Sequence, residues 1–222
     1  MGLLMIIDFQ LIYHALPQLM RGAQITILIG LISCIIGLAL GTMFGLALES
    51  TTRTLKYPVY LITTVLRGTP MVIQIVFMYA FLPIVGINLP PLWTAIIAVG
   101  MNSAAYISSI VRSGIKSISS GQVEAAKVLG FSRLQTLWYI ILPRIMRVML
   151  PPLGNELIVL VKDSSLASFI GVTELFKQGS IITSTTYDAL SVYAAVGAVY
   201  LLITGTLTMG LTALEVRLNR HA

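Results

Sequence analysis

An all-α membrane protein is predicted by three features of the 222-residue sequence. Hydrophobic residues make up 57% of it and charged residues only 10%, against about 25% charged in a soluble domain. So few charges cannot cover a water-facing surface, and the mean hydropathy of +0.93 agrees. The apolar residues fall in repeated runs of about 20, the length that crosses a hydrocarbon core about 30 Å thick. The whole chain, 1–222, is predicted to form one membrane domain with five spans. Its net charge of +6 does not indicate nucleic-acid binding, because the basic residues are scattered at span boundaries, where they set topology. The single cysteine, Cys34, lies inside an apolar run as a packing residue. The first charge is Asp8 and no basic stretch precedes it, so no cleavable signal peptide is expected.

Residues 5–20 mix Ile6, Phe9, Ile12 and Leu16 with Asp8, Gln10, His14 and Pro17. This pattern predicts an N-terminal amphipathic segment (1–20) lying on the membrane surface. The first span is 23–48, where Gly37, Gly41 and Gly45 recur every fourth residue and open one face to close helix approach. The second, 57–83, is interrupted at Arg67-Gly68-Thr69-Pro70. The third is 91–113, followed by a mixed-charge amphipathic stretch over 116–136. The fourth, 137–161, contains Pro143, Pro151, Pro152 and Gly154, which predict a broken helix. An irregular or re-entrant connection is expected over 162–187, and the last span is 188–213.

Five spans put the termini on opposite sides. With the N-terminus outside, the cytoplasmic segments hold Arg53, Lys56, Arg112, Lys116, Lys127, Arg133, Arg144, Arg147, Arg217 and Arg220. The outer segments hold only Arg21, Lys162 and Lys177. The positive-inside rule therefore predicts a cytoplasmic C-terminus and a cytoplasmic 116–136 loop.

That loop reads Glu124-Ala125-Ala126, three residues, Gly130, nine residues, then Ile140, Leu142 and Pro143. Glu124, Ala125, Ala126 and Leu129 suit a short helix with small docking residues, and Gly130 lets the chain turn back. The spacing is similar to the EAA signature of permease subunits of ABC importers. The resemblance runs over nearly the whole chain and is to the polar amino acid branch (histidine, arginine, glutamine and glutamate importers). It is carried by Arg67-Gly68-Thr69-Pro70 with Gln74, Asn102-Ser103-Ala104-Ala105-Tyr106, Leu150 to Glu156, and Lys162-Asp163-Ser164-Ser165-Leu166. It implies the type I importer fold and a coupling helix, built by Glu124, Ala125, Ala126, Leu129 and Gly130, that an ATPase subunit grips. It also implies two ATPases, a second permease (identical or paralogous), an external solute-binding protein and an inner-membrane location. No phosphate-cradling Gly-x-x-x-x-Gly-Lys-[Ser/Thr] loop is present, and no Gly is followed by Lys. ATP and Mg are therefore expected on the separate ATPase, with no cofactor or metal in this chain and no catalysis by it.

Gly/Pro-interrupted membrane helices expose backbone that is tolerated only against a cavity or buried in protein, and so point to a transport site. Asn102 lies about ten residues into the third span, roughly 15 Å deep and near the midplane. Glu156 lies inside the fourth span, with Asp163 seven residues on. If the helix continues, both acids share a face. Intramembrane ionisable residues are functional candidates by default. Asn102, Glu156 and Asp163, with Thr69 and Arg67 from the break, are the predicted solute site. The acids favour a cationic group and lean toward arginine, lysine or histidine; glutamine, glutamate or cystine is the alternative cargo. A Glu156–Arg67 ion pair joining two helices is the competing reading of those residues, and Arg67 also suits snorkelling to the interface.

Lys162 is expected at the outer interface, and Thr183-Ser184-Thr185-Thr186 as a polar cap. Tyr187, Tyr193 and Tyr200, with Trp93 and Trp138, suit interfacial anchoring and packing. His14 and His221 lie near opposite ends of the chain and do not suggest a metal site. A membrane enzyme would need a nucleophile–base pair or metal cluster within the spans, and the sequence offers neither. A passive channel explains the glycines but leaves the 116–136 loop without a purpose. Glu124→Lys or Gly130→Pro should abolish uptake while leaving solute capture by the external binding protein unchanged, measured by transport and binding assays on the same preparation.

Overall fold

Two long helices, α1 (Phe9–Glu49) and α4 (Pro91–Lys116), form the most extensive contact in the molecule. Their interface explains the order of the rest. The computed structural model describes residues 7–219; Ile6, Arg220 and His221 of the sequence reading lie outside the described residues. Among these, nine α-helices and no strands are present.

The α1–α4 contact depends on the glycines of α1. A Cβ at Gly41 would lie 2.7 Å from Ile107 Cβ and 2.9 Å from the Ala104 carbonyl oxygen. One at Gly45 would lie 2.7 Å from Val111 Cβ, and one at Gly37 2.8 Å from Ser103 Oγ. The approach is reciprocated: Gly100 of α4 faces Ile36, and Ser33 Oγ donates to the Ile96 carbonyl at 3.0 Å. Apolar surfaces gain little by leaving lipid for one another, so close packing and such hydrogen bonds carry helix association in a bilayer. At one end of the pair, Glu49 accepts from Arg112 Nε at 2.7 Å, with Lys116 Nζ at 3.7 Å.

The N-terminal stretch is not a separate surface helix. From Asp8, whose carboxylate caps the Leu11 N–H at 2.9 Å, α1 runs unbroken for 41 residues. That is about 60 Å at 1.5 Å per residue. Ala15, Leu19 and Ala23 are buried against α8 (Leu175–Thr186) and α9 (Ala189–Asn219), with Leu11 and Ile12 packed beside them, while Phe9, Leu16 and Met20 stay exposed. Packing against protein takes up one side of this stretch and leaves the other open.

The second predicted span is two helices, α2 (Arg53–Gly68) and α3 (Met71–Ile84), whose axes turn by 112° at Thr69-Pro70. By length and hydropathy α1, α4 and α9 can each cross a membrane, and the bent α2–α3 pair can count as a fourth crossing. The fourth predicted span is α7 (Leu142–Asp163), entered through a π-turn over Leu137–Ile141. It carries too many charges to pass the same test. Its prolines do not break it. Pro143 lies in its first turn, where the missing N–H is harmless, and the helix continues through Pro151 and Pro152.

The connection after α7, expected as irregular or re-entrant, is a short 3₁₀ segment followed by a helix. The 3₁₀ segment over Ser164–Ile170 ends at Gly171 with φ 85°, and α8 follows. The buried carboxylate of Glu174 caps α8, accepting from the N–H groups of Phe176 (2.9 Å) and Lys177 (2.7 Å). It also accepts from Thr26 Oγ1 of α1 (3.3 Å) and the Tyr200 hydroxyl of α9 (2.9 Å). Four donors offset the cost of removing that group from water. Tyr200 is thus an internal hydrogen-bond donor and not an interfacial anchor. Tyr193 stacks on Phe176 at 5.7 Å, while Tyr187 is 90% exposed where α8 ends. The Thr185 and Thr186 hydroxyls bond back to Ile182 within α8. Between α8 and α9, Asp188 is held below the usual carboxylate range by its hydrogen bonds with Ser191.

The cytoplasmic-type loop forms α5 (Ser120–Val128) and a short α6 (Arg133–Thr136). Gly130 has φ 80°; its N–H donates to Lys127 O, and that of Phe131 to Ala126 O, each at 3.0 Å. This is the left-handed C-terminal closure that favours glycine. Ser132 and Gln135 then start α6 with reciprocal capping bonds.

Gly41→Ala should cost about 1–3 kcal/mol by overpacking. Gly205→Ala, with no neighbour within 4 Å, should stay within about 0.5 kcal/mol. Thermal unfolding of the two purified variants checks the difference.

Candidate functional site

The site begins with a missing N–H. In an uninterrupted helix the residue at position 70 would donate to the Leu66 carbonyl; Pro70 cannot. Gln74, one turn into α3, reaches back instead. Its Nε2 lies 2.7 Å from Leu66 O, 3.0 Å from Thr69 O and 2.7 Å from Thr69 Oγ1. Asn102 of α4 adds a second donor, its Nδ2 lying 3.1 Å from Leu66 O and 3.0 Å from Gln74 Oε1. Three helices meet on one freed carbonyl, and the meeting point forms the edge of a cavity.

That cavity has a volume of about 460 Å³ and is lined by Thr69, Pro70, Met71, Asn102, Tyr106, Glu156, Val159, Leu160 and Asp163. It therefore brings together Asn102, Glu156, Asp163 and Thr69 of the predicted site. Because α7 is continuous, the seven-residue step from Glu156 to Asp163 returns to nearly the same face. Both acids are half-buried and Asn102 is buried.

Arg67 is not brought to the cavity. Its Nη1 donates to Ser109 Oγ at 2.7 Å and its Nε to Thr63 O at 3.3 Å. Nor does it pair with Glu156, whose Oε1 accepts from Ser103 Oγ at 2.8 Å. The reason is axial: Arg67 is the last side chain before the break, on α2, and lies along α4 beside Ser109, almost two turns from Asn102.

The polar lining has one chemical character. Asn102 spends both amide hydrogens on the chain, leaving its carbonyl oxygen. Glu156 keeps Oε2 free of the Ser103 bond, and Asp163 brings a second carboxylate. Tyr106 adds one hydroxyl, and no basic residue lines the wall. Met71, Val159 and Leu160 supply the apolar remainder. Sequence reasoning quoted Ser103, Tyr106 and Gln74 only within motifs. The signal that would have raised Gln74 is its position four residues after Pro70, one turn beyond the gap in the ladder.

The loop residues are placed differently. Glu124 and Ala125 are exposed, whereas Ala126 is buried against the chain and so does not present its methyl outward. The exposed apolar tip is made by Val128 (87% exposed), Leu129 (74%) and Leu134 (64%).

An all-helical membrane chain with a polar cavity at a broken helix, and a projecting helical loop with an apolar tip, defines a transport permease. Residues 37–220 match the family model described as the binding-protein-dependent transport system inner membrane component, and the chain belongs to that family. It is 38% identical over 214 residues to the glutamine transport system permease protein of Escherichia coli (strain K12), covering 96% of this chain and 98% of that one. The arginine transport system permease protein of Bacillus subtilis (strain 168) is 34% identical over 216 residues, covering 97% and 99%. The L-cystine permease protein of the same organism is 35% identical over 206 residues, covering 92% and 88%. Among solved structures, an amino acid ABC transporter crystallised with histidines superposes with a TM-score of 0.87 at 33% identity, covering 95% of this chain and 99% of that one. The MetNI methionine transporter shares the fold, with a TM-score of 0.75 at 22% identity.

Gln74→Leu and Asn102→Leu should each cost about 1 kcal/mol, since each removes a donor from the part-buried Leu66 carbonyl. Because both act on Leu66 O, the double variant should depart from additivity by at least about 0.5 kcal/mol. A thermal-unfolding double-mutant cycle in detergent measures this.

Proposed function

We infer that this chain forms half of the translocation pathway of an ATP-driven importer for amino acids, and that the cavity at Asn102, Glu156 and Asp163 receives the solute's cationic group. The observation carrying the reading is the acidic lining: two carboxylates and a carbonyl oxygen with no basic residue beside them, Arg67 being directed elsewhere. Every amino acid offers an α-ammonium to such a wall, and arginine, lysine or histidine offers a second positive group. Thr69 and Tyr106 add hydroxyls at the edge. The similarity to an arginine permease and to an amino acid transporter crystallised with histidines accords with a basic cargo. A second reading keeps the machine and changes the cargo to glutamine, glutamate or cystine; it is favoured by the 38% identity to the glutamine permease and 35% to the cystine permease.

In this reading two permeases, identical or paralogous, enclose the pathway, and two ATPases bind ATP and Mg. A solute-binding protein delivers cargo from outside. The chain sits in the inner membrane with its N-terminus outside and its C-terminus in the cytoplasm. Glu124, Ala125, Leu129 and Gly130 shape the loop the ATPase holds, with Ala126 as its inward packing residue. Closure of the ATPases on ATP draws the two loops together and turns the cavity outward; hydrolysis returns it inward.

The test is uptake by the complete reconstituted transporter, with labelled arginine and glutamine in parallel. Glu156→Gln should lower arginine uptake at subsaturating solute by about tenfold, the effect of one charge-assisted contact of about 1.4 kcal/mol. ATPase co-purification should not change. Undiminished arginine uptake with a weakened complex would remove the binding role and leave Glu156 structural. Uptake that persists without the ATPase would replace the importer with a passive channel.

A further inference from the structure

A second cavity, of about 440 Å³, lies between α5 and the start of α7, remote from the solute site. Its lining includes Gln122, Tyr139, Ile140, Arg144, Arg147 and Val148. Arg147 is nine residues before Glu156 on the same continuous helix. At about 100° per residue that places it on the opposite side of the axis, and Arg144 about 120° away from Glu156. The two guanidinium groups therefore turn away from the solute cavity. Three residues apart, they are neighbours on the helix surface.

Four observations define what fits between them. Arg144 donates Nε to the Ser117 carbonyl at 3.1 Å, which fixes its guanidinium plane; its Nη groups make no hydrogen bond among the described residues. Arg147, half-buried, adds a second positive charge to the same wall. Gln122 lines the cavity from α5 with a buried Oε1 that has no partner among the described residues. Ile140, Pro143 and Val148 give the cavity an apolar side, and Trp138 and Tyr139 beside it are 59% and 72% exposed. Exposed tryptophan and tyrosine at the end of a predicted span mark headgroup depth.

We propose that this cavity binds the headgroup of an anionic phospholipid, with the phosphodiester on Arg144 and Arg147 and a headgroup hydroxyl donated to Gln122 Oε1. Planar guanidinium groups match phosphate oxygens in pairs. A glycerol headgroup supplies the donor that the Gln122 oxygen lacks, and the apolar wall accepts the first part of an acyl chain. A soluble phosphate would leave that wall unused. In the proposed function a protein partner meets the loop tip, where Val128, Leu129 and Leu134 are exposed, whereas this cavity lies behind α5 and against the start of α7. The occupant ties α5 to the bilayer, so the loop moves with α7.

The test is native mass spectrometry of the detergent-purified permease–ATPase complex equilibrated with dioleoyl phosphatidylglycerol, dioleoyl phosphatidylcholine or dioleoyl phosphatidic acid. Wild type should retain phosphatidylglycerol saturably and phosphatidylcholine at background level. Arg144→Gln should lower phosphatidylglycerol retention by about tenfold, and Arg53→Gln, a basic residue on another helix, should leave it unchanged. Gln122→Leu should reduce retention of phosphatidylglycerol but not of phosphatidic acid, which lacks the headgroup hydroxyl. Arg147→Gln should lower phosphatidylglycerol retention as Arg144→Gln does, and Arg147→Lys, which keeps the charge but not the planar fork, should recover part of it, which separates lost charge from a folding defect. Equal retention of phosphatidylglycerol and phosphatidylcholine, or undiminished retention by Arg144→Gln, overturns the proposal. Displacement of the lipid by an equal concentration of glycerol 1-phosphate reassigns the cavity to a soluble phosphate. Loss of the ATPase from the Arg144→Gln complex, with lipid retained, reassigns it to protein docking.

Discussion

The carbonyl of Leu66 is the point on which the solute cavity depends. Inside a bilayer there is no water to satisfy a backbone group that loses its partner. Pro70 removes that partner by lacking an N–H, and the chain must supply donors from elsewhere. Gln74 and Asn102 do so, at 2.7 and 3.1 Å. Meeting this one requirement fixes α2, α3 and α4 together, permits the 112° turn between α2 and α3, and fills both hydrogens of the Asn102 amide. The oxygen left on Asn102 then joins the Glu156 and Asp163 carboxylates in the cavity wall. The break in the helix and the orientation of Asn102 are thus consequences of one missing hydrogen.

The surrounding structure supplies rigidity by two different means. Between α1 and α4, glycines bring backbones close enough for dispersion and serine hydrogen bonds to hold the pair. Between α1, α8 and α9, a single buried carboxylate, Glu174, gathers four donors from three helices. Both leave α7 supported, and its unbroken course from Glu156 to Asp163, beyond Pro151 and Pro152, is what aligns the two acids. The Ser103–Glu156 bond links this helix to α4 next to Asn102, so the walls of the cavity share their supports.

Several departures from the sequence reading have a common cause. The 9–23 stretch and Tyr200 carry mixed polar and apolar character that suits a membrane surface or a protein interior equally well. Packing placed Leu19 under α8 and α9 and Tyr200 onto Glu174. Arg67 is a related case. Its place in a motif beside the break suggested the cavity, but the direction of the last turn of α2 carried it to Ser109. Ala126 likewise turned inward, as the buried residue of α5.

Composition and spacing alone determined that the chain is helical and lives in lipid, because 10% charged residues cannot solvate a surface this size. They also determined where the backbone would be irregular, since proline and glycine act locally, and that the 116–136 loop turns at Gly130, whose φ of 80° other residues rarely adopt. The pairing of Asn102, Glu156, Asp163 and Thr69 was legible because helical periodicity and depth are one-dimensional quantities. Tertiary structure alone decided which donors reach the freed carbonyl, which helix Arg67 leans on, whether α7 survives its prolines, and that Arg144 and Arg147 share a cavity with Gln122. Each of these depends on the mutual orientation of two or more helices, and that orientation is set by packing between residues far apart in the chain.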